Sequence, residues 1–536
     1  MLSSTETYIK ECLRQLERPE TPSLIAGFEY SSKERGELPA FKCLGKPITY
    51  GEVDGLSRDF AAYLLGACGL SKGDRIAIQL PNLVQYPIVA WGALRAGLVI
   101  VNTNPLYTKR ELIYQFNDSG AKALVALSDN LPLIEEVVPE TEIEVVISTS
   151  IIDMLDPQPL PESSLANLVS LPDALGKGSK LELPKVDVTL DDLALLQYTG
   201  GTTGAPKGAA LSHGNLYSAA LMSPLSFGAD MTDPEVAIMP MPLYHIYGFA
   251  VSLISGYLNG SYSILIPNPR DINGLINTMK DEEFTSFAGV NTLFTTLLHH
   301  PEFDDIDFSY LRWTIGGGAA TVPEIAEEWK RRTGADIHEG YGLSETAAMA
   351  TVNTLTDREL GTIGPPMVGC EFKVVDDDGN ALPAGQSGEL LIRGPQVMQG
   401  YWQREAATAE TIDKDGWFHS GDVAIIQENG RIRIVDRLKD MVLVSGFNVY
   451  PNEIENVIFT HPDVVECAVI GVPDEKTGEA VKVFVVSKNK DLDPGELRRF
   501  CREQLTAYKV PKHVEFRDDL PKTPVGKILR RELRDE

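Results

Sequence analysis

The chain has 536 residues, beyond the size at which a single hydrophobic core keeps growing, so two or more domains are expected. Hydrophobic residues make up 43% and charged residues 23%, an ordinary globular composition with a sizeable core. Against 48 Lys and Arg stand 76 Asp and Glu, a net charge of −28 that argues against nucleic acid as a partner, which would need a basic face.

Six cysteines (Cys12, Cys43, Cys68, Cys370, Cys467, Cys501) are scattered without a C-x-x-C pair. They read as small buried residues in a reducing compartment, not as a disulfide framework or a zinc site. The N-terminus, M-L-S-S-T-E-T-Y-I-K-E, lacks a basic segment followed by an apolar core, so no secretory signal is expected. R-D-E at the C-terminus carries no recognisable address. A cytoplasmic location follows as the expectation.

Between 50 and 150 helical and strand patterns alternate. Val53, Leu56, Phe60 and Leu64 recur at helical spacing, then R-I-A-I-Q-L (75–80) reads as a strand. Residues 86–96 look helical, and 98–102, 123–127 and 144–148 look like strands. This alternation implies a largely parallel sheet covered by helices. Five prolines between 155 and 187 predict an irregular crossing before the strand at 193–198.

From 236 to 269 there is no Asp, Glu, Lys or Arg. The longest clean apolar run inside it, 246–258, is too short for a membrane span, which needs about 20 residues, and predicts a buried helix. Late in the chain, D-R-L-K-D (436–440) is a charged break after the strand-like R-I-R-I-V. A helix near 453–459, strands at 465–472 and 481–486, and a helix after Pro494 then form a compact set with its own core. The expected architecture is therefore α/β. A large N-terminal domain of stacked α/β sheets (1–435) precedes a small α+β domain (441–536), with 436–440 as the joint.

Y-T-G-G-T-T-G-A-P-K-G (198–208) is built to hold phosphate. Its glycines free backbone N–H groups to face an anion, and threonine hydroxyls and a lysine stand beside them. A Walker A loop fails here, because Pro206 precedes Lys207 and Gly208 follows it. The G-x-G-x-x-G spacing of dinucleotide sites is absent too.

This loop resembles the signature of the adenylate-forming enzymes: acyl-CoA synthetases, nonribosomal adenylation domains and beetle luciferases. P-L-Y-H-I-Y-G (242–248), G-Y-G-L-S-E-T (340–346), D-G-W-F-H-S-G-D (415–422), D-R-L-K-D and P-V-G-K-I-L-R-R-E-L (524–533) match later motifs of that family in order. N-T-N-P-L-Y-T (102–108) and V-L-V-S-G-F-N-V-Y-P-N-E-I-E (442–455) narrow the likeness to bacterial long-chain fatty acid–CoA ligases. The resemblance implies two steps: a carboxylate attacks the α-phosphate of ATP to give acyl-adenylate, then coenzyme A displaces AMP. Rotation of the small domain about Lys439 would separate them.

Residue roles follow from the resemblance alone. Thr199, Gly200, Gly201, Thr202, Thr203, Gly204 and Lys207 would cradle the β- and γ-phosphates. Glu345 would hold Mg²⁺, and Thr346 would bond the α-phosphate. Gly317, Gly318, Tyr341 and Gly342 would form the adenine slot; Asp422 and Arg437 would grip the ribose. His245 would face the substrate carboxylate, Lys527 would stabilise charge in the first step, and Ser445 and Gly446 would meet coenzyme A. A core histidine at 245, a turn residue at 422 and a helix-start carboxylate at 345 are the plainer alternatives.

An amino acid substrate is disfavoured, since 243–246 offers no carboxylate to pair a buried ammonium. The run 246–258 suits the wall of an alkyl tunnel. Leu443 stands where luciferases place a lysine, which puts oxidation chemistry in doubt. The expected substrate is a medium- to long-chain fatty acid, with an aryl (coumarate-like) or other carboxylic acid as the alternative. A homodimer and peripheral contact with the inner face of the membrane are left open by the likeness.

Overall fold

The computed structural model describes residues 4–199, 205–228, 235–445, 447–523 and 526–534. Two eight-stranded sheets dominate it. The first runs Gly400–Tyr401, Lys207–Ser212, Leu193–Thr199, Val99–Asn102, Arg75–Gln79, Ala121–Leu127, Val145–Thr149, Leu168–Ser170. Its pairings from Leu193–Thr199 to Leu168–Ser170 are all parallel. Strands such as Val99–Asn102 are buried on both faces, which is why they read as unbroken apolar runs. The helix Tyr50–Gly66 begins at a capping box: Thr49 and Glu52 each bond the other's backbone N–H.

The second sheet carries Ile337–Tyr341, Trp313–Gly316, Ser286–Gly289, Val236–Met239 and Tyr262–Leu265 as its parallel centre. The helix His213–Phe227, buried along most of its length, packs against a second buried helix, Gly248–Gly256. The latter is the predicted apolar run, wound as a π-helix. At its start a Cβ on Gly248 would lie 2.2 Å from the Pro242 carbonyl oxygen, so only glycine permits this entry. No helix among the described residues is long and apolar enough to cross a membrane.

A four-stranded antiparallel sheet follows, ending with Phe418–Ile426 beside Ile432–Arg437. The chain then turns, Asp440 and Met441 donating to the Arg437 carbonyl, before Val442–Val444 opens the sheet of the small C-terminal domain. The helices Pro451–Phe459 and Pro494–Gln504 bury Ile454, Ile458, Leu497 and Cys501 with the strands Val464–Asp474 and Gly478–Ser487 in a separate core.

The predicted irregular crossing at 155–187 needs correction. It contains the strand Leu168–Ser170 and the helix Leu171–Gly178. Pro172 occupies the first turn of that helix, where its missing N–H costs nothing, and Ser170 caps it through Asp173 N at 3.1 Å. A proline counted as a breaker is thus a helix starter.

Candidate active site

A cleft of about 1460 Å³ runs between the sheets and the small domain. Thr199, Lys207, His245, Gly317, Gly318, Tyr341, Gly342, Glu345, Asp422, Arg437, Lys439 and Lys527 all line it, although their motifs are spread over more than 300 positions of the chain.

Thr199 and Lys207 face each other across the antiparallel pair Leu193–Thr199 and Lys207–Ser212, the strands that flank the glycine-rich stretch. Both ends are anchored. Tyr198 Oη donates to Asp118 at 2.7 Å, and Asp118 is paired with Arg404. Tyr114 Oη donates to the Pro206 carbonyl at 2.7 Å. Gly200, Gly201, Thr202, Thr203 and Gly204 lie outside the described residues. Lys207 Nζ stands 5.0 Å from the centre of the Tyr401 ring, and Tyr401 Oη donates to Glu345 Oε1 at 2.7 Å. Tyr401 thereby links the loop lysine to the carboxylate.

Asp422 and Arg437 are register partners on adjacent strands, and Arg437 Nε meets Asp422 Oδ1 at 2.9 Å. The other oxygen, Oδ2, accepts from Tyr341 Oη at 2.6 Å. With a 2% exposed aspartate held at both oxygens, its carboxylate cannot swing. Gly318 has φ +76°, and a Cβ on Gly317 would press on the Tyr247 ring at 3.3 Å, so this turn stays side-chain-free beside the cleft. Gly342 has a different reason to be glycine: a Cβ there would lie 2.0 Å from the Ala348 carbonyl oxygen.

His245 sits at the cleft wall with Nδ1 accepting from Tyr247 N at 3.3 Å, which leaves Nε2 as the protonated nitrogen. Burial, reinforced by the positive Lys527, lowers its pKa to about 4, so the ring is neutral at physiological pH. Lys527 reaches in from the small domain. Thr292 Oγ1 donates to the Gly526 carbonyl at 3.2 Å, and Gly526 has φ +79° with room for no side chain against Thr292. Water reaches the Lys527 side chain through the cleft, yet the protein around it brings its pKa down to about 8. Desolvation is the main cause and Arg437 the next.

Two expected residues do not face the cleft. Thr346 is fully buried, and its hydroxyl accepts from Leu343 N at 2.9 Å and donates to Leu343 O at 3.2 Å. In this conformation it shapes the turn, followed by Ala347 and Ala348 with φ of 49° and 72°. Ser445 is exposed on the small domain's first hairpin with φ 54°, and its N–H goes to the Thr477 carbonyl. Gly446 lies outside the described residues.

Sequence inspection missed four contributors. Tyr401, in Q-G-Y-W, and Thr292 carry no local sign of a role. Asp436 is buried and accepts from Asn452 N at 2.8 Å, tying the last strand of the antiparallel sheet to the first turn of Pro451–Phe459. Arg530 joins that corner through Glu455 at 2.7 Å and Asn452 at 2.8 Å.

Two largely parallel sheets and a small domain that lends a lysine to the cleft between them are the architecture of a nucleotide-activating enzyme. The chain belongs to the AMP-binding enzyme family, whose model matches residues 28–402, with the family's C-terminal domain matching 453–527. It is 47% identical over 530 residues to the long-chain-fatty-acid–CoA ligase of Escherichia coli O6:H1, covering 96% of this chain and 94% of that one. Among solved structures, the anthranilate CoA ligase AuaEII in complex with anthranoyl-AMP superposes with a TM-score of 0.88 at 26% identity, covering 97% and 98%. ATP-bound MatB from Rhodopseudomonas palustris gives 0.84 at 32% identity, covering 96% and 99%.

Proposed function

We propose that this protein is an ATP-dependent fatty acid–CoA ligase acting on medium- to long-chain acids. The observation that carries the chemistry is the convergence of Lys527, His245 and the Tyr341–Asp422–Arg437 group on one cleft from two domains. Full-length likeness to the E. coli ligase supports the substrate class.

In the first step a carboxylate oxygen attacks the α-phosphorus of ATP, and the bond to pyrophosphate breaks. Lys527, as an ammonium, offsets the repulsion between the two approaching anions. The neutral His245 offers its Nε2–H as a hydrogen-bond donor to the carboxylate. Asp422, already fixed, retains lone pairs for a ribose diol. Thr199, Lys207 and the loop between them receive the departing phosphates. In the second step the coenzyme A sulfur attacks the acyl carbonyl carbon, AMP leaves with the bonding pair, and the thiol proton passes to solvent.

Magnesium fits the site. Glu345 presents one carboxylate to the cleft, steadied by Tyr401, and no cluster of three metal-binding side chains occurs among the described residues. A single hard carboxylate is a donor that suits Mg²⁺. Glu345 would hold the ion, which would supply charge neutralisation to the phosphates.

Lys439 lies in the turn between the antiparallel sheet and the small domain, where a change of backbone angles would swing Ser445 towards the cleft and Lys527 away from it. A cytoplasmic enzyme in peripheral contact with the membrane, and a homodimer, belong to the same reading; vesicle co-sedimentation and solution sizing test them. The central experiment measures pyrophosphate release and then thioester formation with acids from acetate to stearate, cinnamates and amino acids. Turnover should rise with chain length at least to about ten carbons, given about 0.8 kcal/mol per buried methylene. A maximum at acetate, at a cinnamate or at an amino acid defeats the proposal.

A further inference from the structure

Beyond the main cleft lies a second pocket of about 70 Å³, and the two share Ser223, Phe227, Val251 and Ile315 as walls. It is held between the helix His213–Phe227, the π-helix Gly248–Gly256 and the strands Val236–Met239, Tyr262–Leu265 and Ser286–Gly289. The π-helix leads there directly from His245, as the next element in the chain.

The apolar run expected to form an alkyl wall turns most of its large side chains elsewhere: Phe249, Leu253 and Ile254 are buried and do not line this pocket. The run instead offers Val251, Ser252, Ser255 and Gly256. Ser263 and Ser286 come from the facing strands, and both are 1% exposed. Ser252 and Ser263 share a hydrogen bond at 3.2 Å, and Ser255 donates to the Ala220 carbonyl. Ser286 Oγ makes no well-formed hydrogen bond, although it lies beside the Glu235 carboxylate. Glu235, 4% exposed, closes this end of the pocket, held by Arg312 at 2.9 Å and Trp313 Nε1 at 3.1 Å. Ser223, Phe227, Val251 and Ile315 stand at the junction with the cleft, and beyond them the serines and Glu235 are interleaved with Ala237, Met239, Phe287 and Ala288.

A methyl-ended chain driven into such an end would dry the pocket and leave the Ser286 hydroxyl with only its poorly aligned contact to Glu235, which costs free energy. A chain ending in a hydroxyl brings a partner with it. The space is that of about two water molecules, enough for a terminal CH₂–OH group.

We propose that this pocket seats the far end of the acyl chain and selects chains that end in a hydroxyl, making ω-hydroxy fatty acids preferred substrates at the length that reaches it. The inference rests on the fatty acid–CoA ligase reading and names its substrate class more closely.

The test compares ω-hydroxy and unsubstituted acids of eight to eighteen carbons with the full-length enzyme, ATP, Mg²⁺ and coenzyme A. Alongside it runs a fluorescence titration without ATP, using the pocket's own Trp313 and a Trp313→Phe control. At the fitting length the ω-hydroxy acid should show at least about threefold higher kcat/KM, the size of one neutral hydrogen bond or less. Ser286→Ala with Ser252→Ala should bring that ratio below one while leaving octanoate turnover unchanged. Trp313 emission should respond more strongly to the ω-hydroxy acid. Preference for the methyl-ended acid at every length overturns the proposal, as does a ratio that the serine variants do not move. If no acid supports pyrophosphate release, the ligase reading falls, and the titration alone judges the pocket: equal or absent responses to both acids overturn it.

Discussion

Tyr341 Oη donates to Asp422 Oδ2 across 2.6 Å, joining the end of a parallel strand in one sheet to the middle of an antiparallel strand in another. The same phenol ring faces the cleft beside Gly317 and Gly318. One hydrogen bond therefore sets both the ring that would stack on a base and the carboxylate that would hold its ribose. Tyr341→Phe keeps the ring and removes the bond. A neutral-to-charged hydrogen bond contributes about 1.5 kcal/mol, so the KM for ATP should rise about tenfold with little change in kcat. Asp422→Ala should cost more, because it also strands Arg437. An unchanged KM for ATP in Tyr341→Phe would mean that the ring and the carboxylate serve separate ends.

Tyr401 bridges Lys207 and Glu345, so its hydroxyl should tune the metal requirement. Tyr401→Phe should raise the Mg²⁺ concentration needed for half-maximal adenylation by about fivefold, with thermal unfolding unaltered. Glu345→Ala should weaken the Mg²⁺ response further and leave the fold intact. Wild-type metal dependence in both variants would remove Glu345 from the metal site.

Lys527 belongs to the small domain and should act in the first step only. Lys527→Ala should lose adenylation by roughly two or more orders of magnitude, the scale of removing one preorganised charge donor. Supplied with synthetic acyl-adenylate and coenzyme A, the same variant should form thioester at near the wild-type rate. Parallel loss of both half-reactions would make Lys527 structural.

The pH dependence follows from the two groups facing each other. Only protonated Lys527 offsets negative charge, so kcat/KM for adenylation should fall as pH rises above about 8. His245, with its pKa lowered to about 4, should add no limb between pH 5 and 8. For stability the sign is opposite. A lysine whose folded pKa is lowered contributes fully above its unfolded value of 10.5, and that contribution is lost as pH falls through about 8. Lys527→Arg, which keeps its proton, should flatten the alkaline fall. An alkaline limb that persists in Lys527→Arg would belong to another group.

Lys439 stands at the turn that the proposed rotation needs. Lys439→Pro would fix φ near −65° and hold one orientation of the small domain. Adenylate formation and thioester formation, assayed separately, should then change by very different factors. Equal losses would place the pivot elsewhere.

Much of this protein was legible before any fold. Tyr50–Gly66 and the strands around it follow from apolar spacing, because that pattern acts between neighbours in sequence. The phosphate loop stands out by its glycines, hydroxyls and lysine, whereas Glu345, Asp422 and Lys527 stand out only through the resemblance of their motifs to the adenylate-forming family. Local reading failed where one residue type serves two ends, for Pro172 starts a helix instead of breaking one; likewise nothing in the sequence tells that Thr346 turns its hydroxyl onto the Leu343 backbone in this conformation. What only the tertiary structure decided are the pairings at distance. Tyr341 with Asp422, Tyr401 with Glu345 and Asp436 with Asn452 depend on how separate elements meet. The face of the π-helix that lines the second pocket was decided there too, for an apolar run states that it will be buried but not which side it gives to a substrate. Hydrophobic burial is non-directional, so sequence fixes what goes inside, and packing alone fixes what touches what.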